Sequence, residues 1–140
     1  MNRLVVASAG WFTWIDPLRP FPHGVASTTP GAAEADVRAF LALPVLVLAG
    51  ERDVHRDAKL RTSARVDRIQ GLNRLARALA WTDHLEECAR DYGLPSSVVF
   101  DVLEGCRHSF RESVASAGLV ERVVDFLRPA PSPESMKAET

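Results

Sequence analysis

The sequence predicts an α/β fold: a short parallel sheet of about three strands, covered by helices in a three-layer arrangement. Two observations carry this. Strand-like and helix-like segments alternate three times along the 140 residues, with no internal repeat to suggest another architecture. The central run "VLVLA" (45–49) is apolar at every position, as expected of a parallel strand covered on both faces.

"RLVVAS" (3–8) is a short β-branched run that stops at Ala9-Gly10, and it reads as the first strand. Residues 11–24, "WFTWIDPLRPFPHG", carry three prolines and four large aromatics. Regular structure is ruled out there, and the loop must pack its rings somewhere. Ala32 to Leu41 is a short helix with Glu34 in its first turn, ended ahead of Pro44. After the second strand and a charged loop, residues 65–92 read as one long helix. Ile69, Leu72, Leu75, Ala76, Leu79, Leu85, Cys88, Ala89 and Tyr92 fall near one stripe of it. Gly93 supplies a left-handed stop, Leu94 packs behind it and Pro95 prevents continuation. "SVVFDVL" (97–103) is the third strand. A last helix spans about 114–127, with Val120, Val123, Val124 and Leu127 at i, i+3, i+4, i+7 spacing. The organisation is thus one domain over 1–128 and a proline-rich, polar tail over 129–140, predicted to be disordered.

A chain of this length fits one domain and buries about two-thirds of its unfolded surface. Seventeen basic residues are scattered and the net charge is -1, so neither nucleic acid nor an anionic membrane is an expected partner. No apolar stretch approaches a bilayer span and the N-terminus lacks signal-peptide character, which makes the cytoplasm the expected location. Two cysteines are too few for a disulfide framework. Cys88 reads as a small buried hydrophobe, and Cys106 is left open.

The charged loops carry the chemistry. In open α/β sheets, catalytic groups gather outside the carboxyl ends of the strands. "GERD" (50–53) leaves the second strand and "EGCRHSF" (104–110) leaves the third. Asp53 and His108 would therefore emerge from neighbouring strands about 5 Å apart. A carboxylate on one ring nitrogen fixes the imidazole tautomer and stabilises the imidazolium formed when the other nitrogen takes a proton from a hydroxyl nucleophile. The pairing requires both side chains to project to the same side of the sheet.

A strand ending "LAGERD", a long helix, another strand, "EGCRHSF" and a final amphipathic helix together resemble the C-terminal half of an α/β-hydrolase. The resemblance implies that Asp53 is the triad acid and His108 the base. "RTSARVDRIQGLNRLARA" (61–78) is similar to a stretch in bacterial esterases related to polyhydroxybutyrate depolymerases. "AGWFTW" (9–14) is similar to the strand and loop that follow the nucleophile elbow in that group. The substrate class implied is a small-molecule carboxylic ester, and the chemistry calls for no cofactor.

The rest of such a site is absent from the sequence. No Gly-x-Ser-x-Gly elbow occurs, nor early strands with an oxyanion loop. The chain is expected to begin after the elbow and to act as a hydrolase only beside a half supplying nucleophile and oxyanion donors. A non-catalytic partner module and a truncated reading frame are the alternatives. Ser8 offers the Ser-x-Gly part of an elbow, but Trp11, Phe12, Trp14 and Pro17 follow where a helix is required. Glu51 and Asp57 are rival acids, and Asp53 read as a surface charge would pair with Arg52 or Arg56. Asp53-x-His55-x-Asp57 admits a metal reading if extended. His84 reads as part of a solvated face, and His23 carries no assignment. Trp11, Phe12, Trp14 and Phe21 line a pocket or, more simply, bury against the sheet edge. An isolated chain would leave the first strand as an open β-branched edge, inviting a homo-oligomer or a complementing chain.

Overall fold

The computed structural model describes residues 2–27 and 32–128, so the tail expected from residue 129 lies outside the described residues. Three parallel strands, β1 (Leu4–Ala7), β2 (Val45–Gly50) and β3 (Val98–Leu103), stand in the order β1-β2-β3. Every residue of β2 is buried. Its alternate side chains enter two separate cores, as a period of two requires. Val45, Val47 and Ala49 meet Val37 and Leu41 of α1 (Ala32–Leu41), and Ala78, Trp81, Leu85 and Ala89 of α3 (Arg74–Asp91). Leu46 and Leu48 pack on the opposite face with Leu103, Cys106, Ala117 and Leu119. The remaining helices are α2 (Ala64–Gln70), α4 (Phe110–Ser116) and α5 (Leu119–Leu127). The fold is therefore α/β in three layers around a three-stranded parallel sheet.

The long helix expected over 65–92 is two helices. Gly71, at a φ of 109°, ends α2 where a Cβ would stand 2.9 Å from that of Ala76. Asn73 then starts α3 afresh, its side chain accepting the Ala76 N–H. Three residues of the expected buried stripe, Ile69, Leu72 and Leu79, are exposed instead. The end of α3 follows expectation: Gly93 is left-handed at a φ of 67°, and the Leu94 N–H reaches back to the Ala89 carbonyl.

The last helix is also divided. Ser109 caps α4 by accepting the Glu112 N–H, and Gly118, left-handed at a φ of 64°, starts α5. On α5, Leu119, Val123 and Phe126 face the sheet. Val120, Val124 and Leu127, expected on the core stripe, are each nearly half exposed. Among the described residues no helix is long and apolar enough to cross a membrane.

The loop after β1 is anchored by side chains from α2 and α3. Gln70 accepts the Phe12 N–H at 2.9 Å and donates to the Phe12 carbonyl at 2.7 Å. Trp81 donates its indole N–H to the Thr13 carbonyl and stacks on Phe12. His84, read from sequence as solvated, is the third anchor. Its Nε2 accepts the Ile15 N–H at 3.0 Å and its ring stacks on Trp14. The solvated reading failed because the partner lies 69 residues away in sequence.

Burial pushes the His84 imidazole below its ordinary value of 6.5, opposed by the nearby Glu87 and Asp16 charges. Protonation would turn the accepting nitrogen into a donor facing an N–H. Between the lowered folded value and 6.5 the unfolded chain binds more protons than the native one, so stability falls as pH drops through that window. The melting temperature is expected to be lower at pH 5.5 than at pH 7.5, and His84→Gln to shrink that difference. An equal pH dependence in the variant would show that this anchor does not titrate.

Candidate active site

The loops leaving β2 and β3 are pressed together at the carboxyl edge of the sheet. A Cβ on Gly50 would lie 2.5 Å from the Cys106 carbonyl oxygen, so a glycine is needed for the approach. The same carbonyl accepts the Arg52 N–H at 2.8 Å, while the Leu103 carbonyl accepts the Glu51 N–H at 3.0 Å. Glu51 adds a side-chain clasp, its Oε2 accepting the Gly105 N–H at 2.8 Å. Cys106 is buried beneath this junction.

Asp53 and His108 meet across it. The Asp53 carboxylate is 2% exposed, and its Oδ2 lies 2.9 Å from His108 Nδ1. A carboxylate only accepts, so Nδ1 carries the proton and donates, leaving Nε2 as the nitrogen able to take one. Asp53 pairs with neither Arg52 nor Arg56. The cation beside it is Arg74, the first residue of α3, whose Nη1 is 3.5 Å from Oδ1.

Arg74 is itself buried and forked onto Asp57, with contacts of 2.9 and 3.0 Å. Those bonds raise the guanidinium above its ordinary range, and hold the Asp57 carboxyl well below the usual carboxylate range. The rival acids are thus engaged elsewhere, Glu51 with a backbone N–H and Asp57 with Arg74. His55 is exposed, and no three potential ligands stand close enough to hold a metal among the described residues.

The stretch 61–78 is the bracket behind the site. Besides Arg74 and Gln70 it carries Arg77, which is fully buried. Arg77 donates to the carbonyls of Gly71, Gly10 and Arg61 and pairs with Asp67. Arg56 forks onto the same Asp67 and reaches the Leu72 carbonyl. Sequence reasoning missed Arg74 and Arg77. The available signal was two arginines at i, i+3 among apolar residues, which together mark one helix face.

The His108 ring lines a cavity of about 210 Å³ shared with Ser8, Ser109, Phe110 and Ser113. Ser8 has a φ of 50°, the one positive value at a non-glycine among the described residues. No helix follows it before α1 in that set. On the other face of β1 lies a larger open cavity of about 840 Å³, walled by Val6, Trp11, Phe12, Phe21, Phe40 and Trp81. Of the four loop aromatics, Phe12 is buried and Trp11 and Trp14 partly so, whereas Phe21 is 79% exposed and cannot count as buried. Cys88, expected to be buried, is intermediate, with its Sγ 3.5 Å from His84 Nε2.

Two solved hydrolases share this architecture. Poly(aspartic acid) hydrolase-1 from Sphingomonas sp. KT-1 superposes with a TM-score of 0.73 at 24% identity, over 88% of this chain and 45% of that one. The poly(3-hydroxybutyrate) depolymerase LpqC from Bordetella parapertussis gives 0.71 at 24% identity, over 99% of this chain and 45% of that one. The chain therefore has an α/β-hydrolase-like fold and spans less than half the length of either neighbour, consistent with a C-terminal half. No family profile matches it, nor does any curated protein.

Proposed function

We propose that this chain supplies the acid and base of a Ser-His-Asp carboxylic-ester hydrolase, Asp53 as acid and His108 as base. A complementing half contributes the nucleophile and the oxyanion donors. The observation that carries this reading is the 2.9 Å contact between a buried carboxylate and a half-exposed imidazole at the carboxyl edge of a parallel sheet. In the reaction, His108 Nε2 takes the proton of the attacking serine hydroxyl and returns it to the leaving alkoxide, while Asp53 holds the tautomer and balances the imidazolium.

The complementing half has a place to dock. In a parallel ladder alternate residues bond to one neighbour, and Leu4 and Ser8 direct their N–H groups to the carbonyls of Pro44, just ahead of β2, and Leu48 within it. Those of Val5 and Ala7 accordingly point to the open edge of β1. Beside that edge lies the 840 Å³ aromatic cavity, large enough for side chains of a covering helix. The partner fitting this edge is a strand followed by a helix, and each solved neighbour has more than half its length outside the match.

A second reading rests on Ser8, whose positive φ and shared cavity with His108 are what a strained nucleophile shows. One experiment separates the readings. The chain is assayed on a p-nitrophenyl ester alone and mixed with an N-terminal half bearing Gly-x-Ser-x-Gly, with gel filtration alongside. Turnover only in the mixture supports the acid–base reading. Turnover by the chain alone, lost in Ser8→Ala, supports the second, and association without turnover leaves a non-catalytic module.

A further inference from the structure

The buried carboxylate of Asp53 has two oxygens, and the His108 contact uses one. A lone carboxylate swings freely about its last torsion, because that rotation is broad and two-fold. Something must hold Oδ2 against Nδ1. Among the described residues, the only lysine or arginine within 4 Å of this carboxylate is Arg74, at 3.5 Å from Oδ1.

Arg74 is built to stay there. Its backbone opens α3 under the Asn73 cap, and its fork is clamped by both oxygens of Asp57. The next residue, Leu75, donates its N–H to the Asp53 carbonyl at 3.3 Å. The first turn of α3 thus grips Asp53 at both backbone and side chain. The planar, forked guanidinium suits this double engagement, since it faces two carboxylates from fixed directions at once. The 3.5 Å separation is too long for a strong hydrogen bond and acts as a charge contact in a dry site.

We infer that Arg74 is a positioning residue for the acid–base pair: clamped by Asp57, it holds Asp53 Oδ1 so that Oδ2 stays on His108 Nδ1. The inference deepens the reading of Asp53 and His108 as acid and base and rests on it. Asp57 is by this account the outer end of a relay running Asp57, Arg74, Asp53, His108.

The test uses the chain by itself and reads the His108 Nδ1–H proton by NMR, assigned through its disappearance in His108→Gln. In the unaltered chain the bonded proton is expected as a slowly exchanging, low-field resonance. Arg74→Met should lose the resonance. Arg74→Gln, which keeps the stem but not the charge, should speed its exchange with water by at least about tenfold, as expected when a charge-assisted bond is loosened. Asp57→Asn loosens the clamp but leaves the guanidinium charge beside Asp53, so it should keep the resonance and speed its exchange clearly less than Arg74→Gln does. Should Arg74→Met fail to fold, Arg74→Gln carries the test. Unchanged exchange in either folded arginine variant overturns the inference. So does an equal acceleration in Arg74→Gln and Asp57→Asn, which would make Arg74 a loop clamp acting through Asp57. Turnover of the complemented protein is a separate readout. Its absence beside an Arg74-dependent resonance removes the hydrolase reading and leaves the positioning contact standing.

Discussion

Asp53→Asn is expected to lower the turnover number of the complemented protein by about 10⁴-fold while leaving association of the halves unchanged. The fold should tolerate the change, because asparagine has the same shape and Arg74 keeps its fork on Asp57. The chemistry should not. An amide can turn its NH₂ toward Nδ1, which moves the imidazole proton to Nε2 and leaves no base facing the serine. It also removes the negative charge that balances the imidazolium. The measurement is kcat at saturating ester, with gel filtration confirming the complex. A variant within about tenfold of the parent would place the acid elsewhere, since removing a triad acid costs far more than that. Asp57 and Glu51 would then return as candidates.

The Asp53–His108 contact was legible in the sequence because its signal is local. A fully apolar strand run that turns into "GERD", and a second that turns into "EGCRHSF", locate two loops at one sheet edge without knowledge of packing. The bracket behind them was not legible, because its bonds are long-range. Arg77 spends its fork on carbonyls at positions 10, 61 and 71, and His84 accepts from position 15. A long cation or an imidazole on a helix reads as solvated until the chain brings such partners back.

The helix breaks were missed for a different reason. Apolar spacing runs on through Gly71 and through Ala117-Gly118, so periodicity alone joins the pieces. On α5 the spacing is correct but the face is not covered. Val120, Val124 and Leu127 form the apolar rib, and in this chain they meet solvent. A sequence records which residues are suited to burial, and the cover can belong to another segment. The open edge of β1 makes the same point at the margin of the sheet.

Arg77→Met is expected to cost about 3–5 kcal/mol of unfolding free energy, the range for removing one partner from a buried charge network. The arginine is fully buried, and its loss strips donors from three backbone carbonyls as well as from Asp67. Burial itself pushes the guanidinium below its ordinary range, with the Asp67 carboxylate opposing. Removing the cation alone therefore strips three carbonyls of this donor and leaves Asp67 with Arg56 as its remaining guanidinium partner. Methionine fills much of the space, so the loss reads on the polar network rather than on a cavity. A domain of this kind has about 5–15 kcal/mol in total, and this one also carries an open strand edge, so the variant should be largely unfolded at 37 °C. Urea denaturation against the parent measures it, with the exposed Arg38→Ala as a near-neutral control. A loss below about 1 kcal/mol would mean that the loop after β1 is held by Gln70, Trp81 and His84 without the arginine, since one hydrogen bond to a charged group is typically worth more than that.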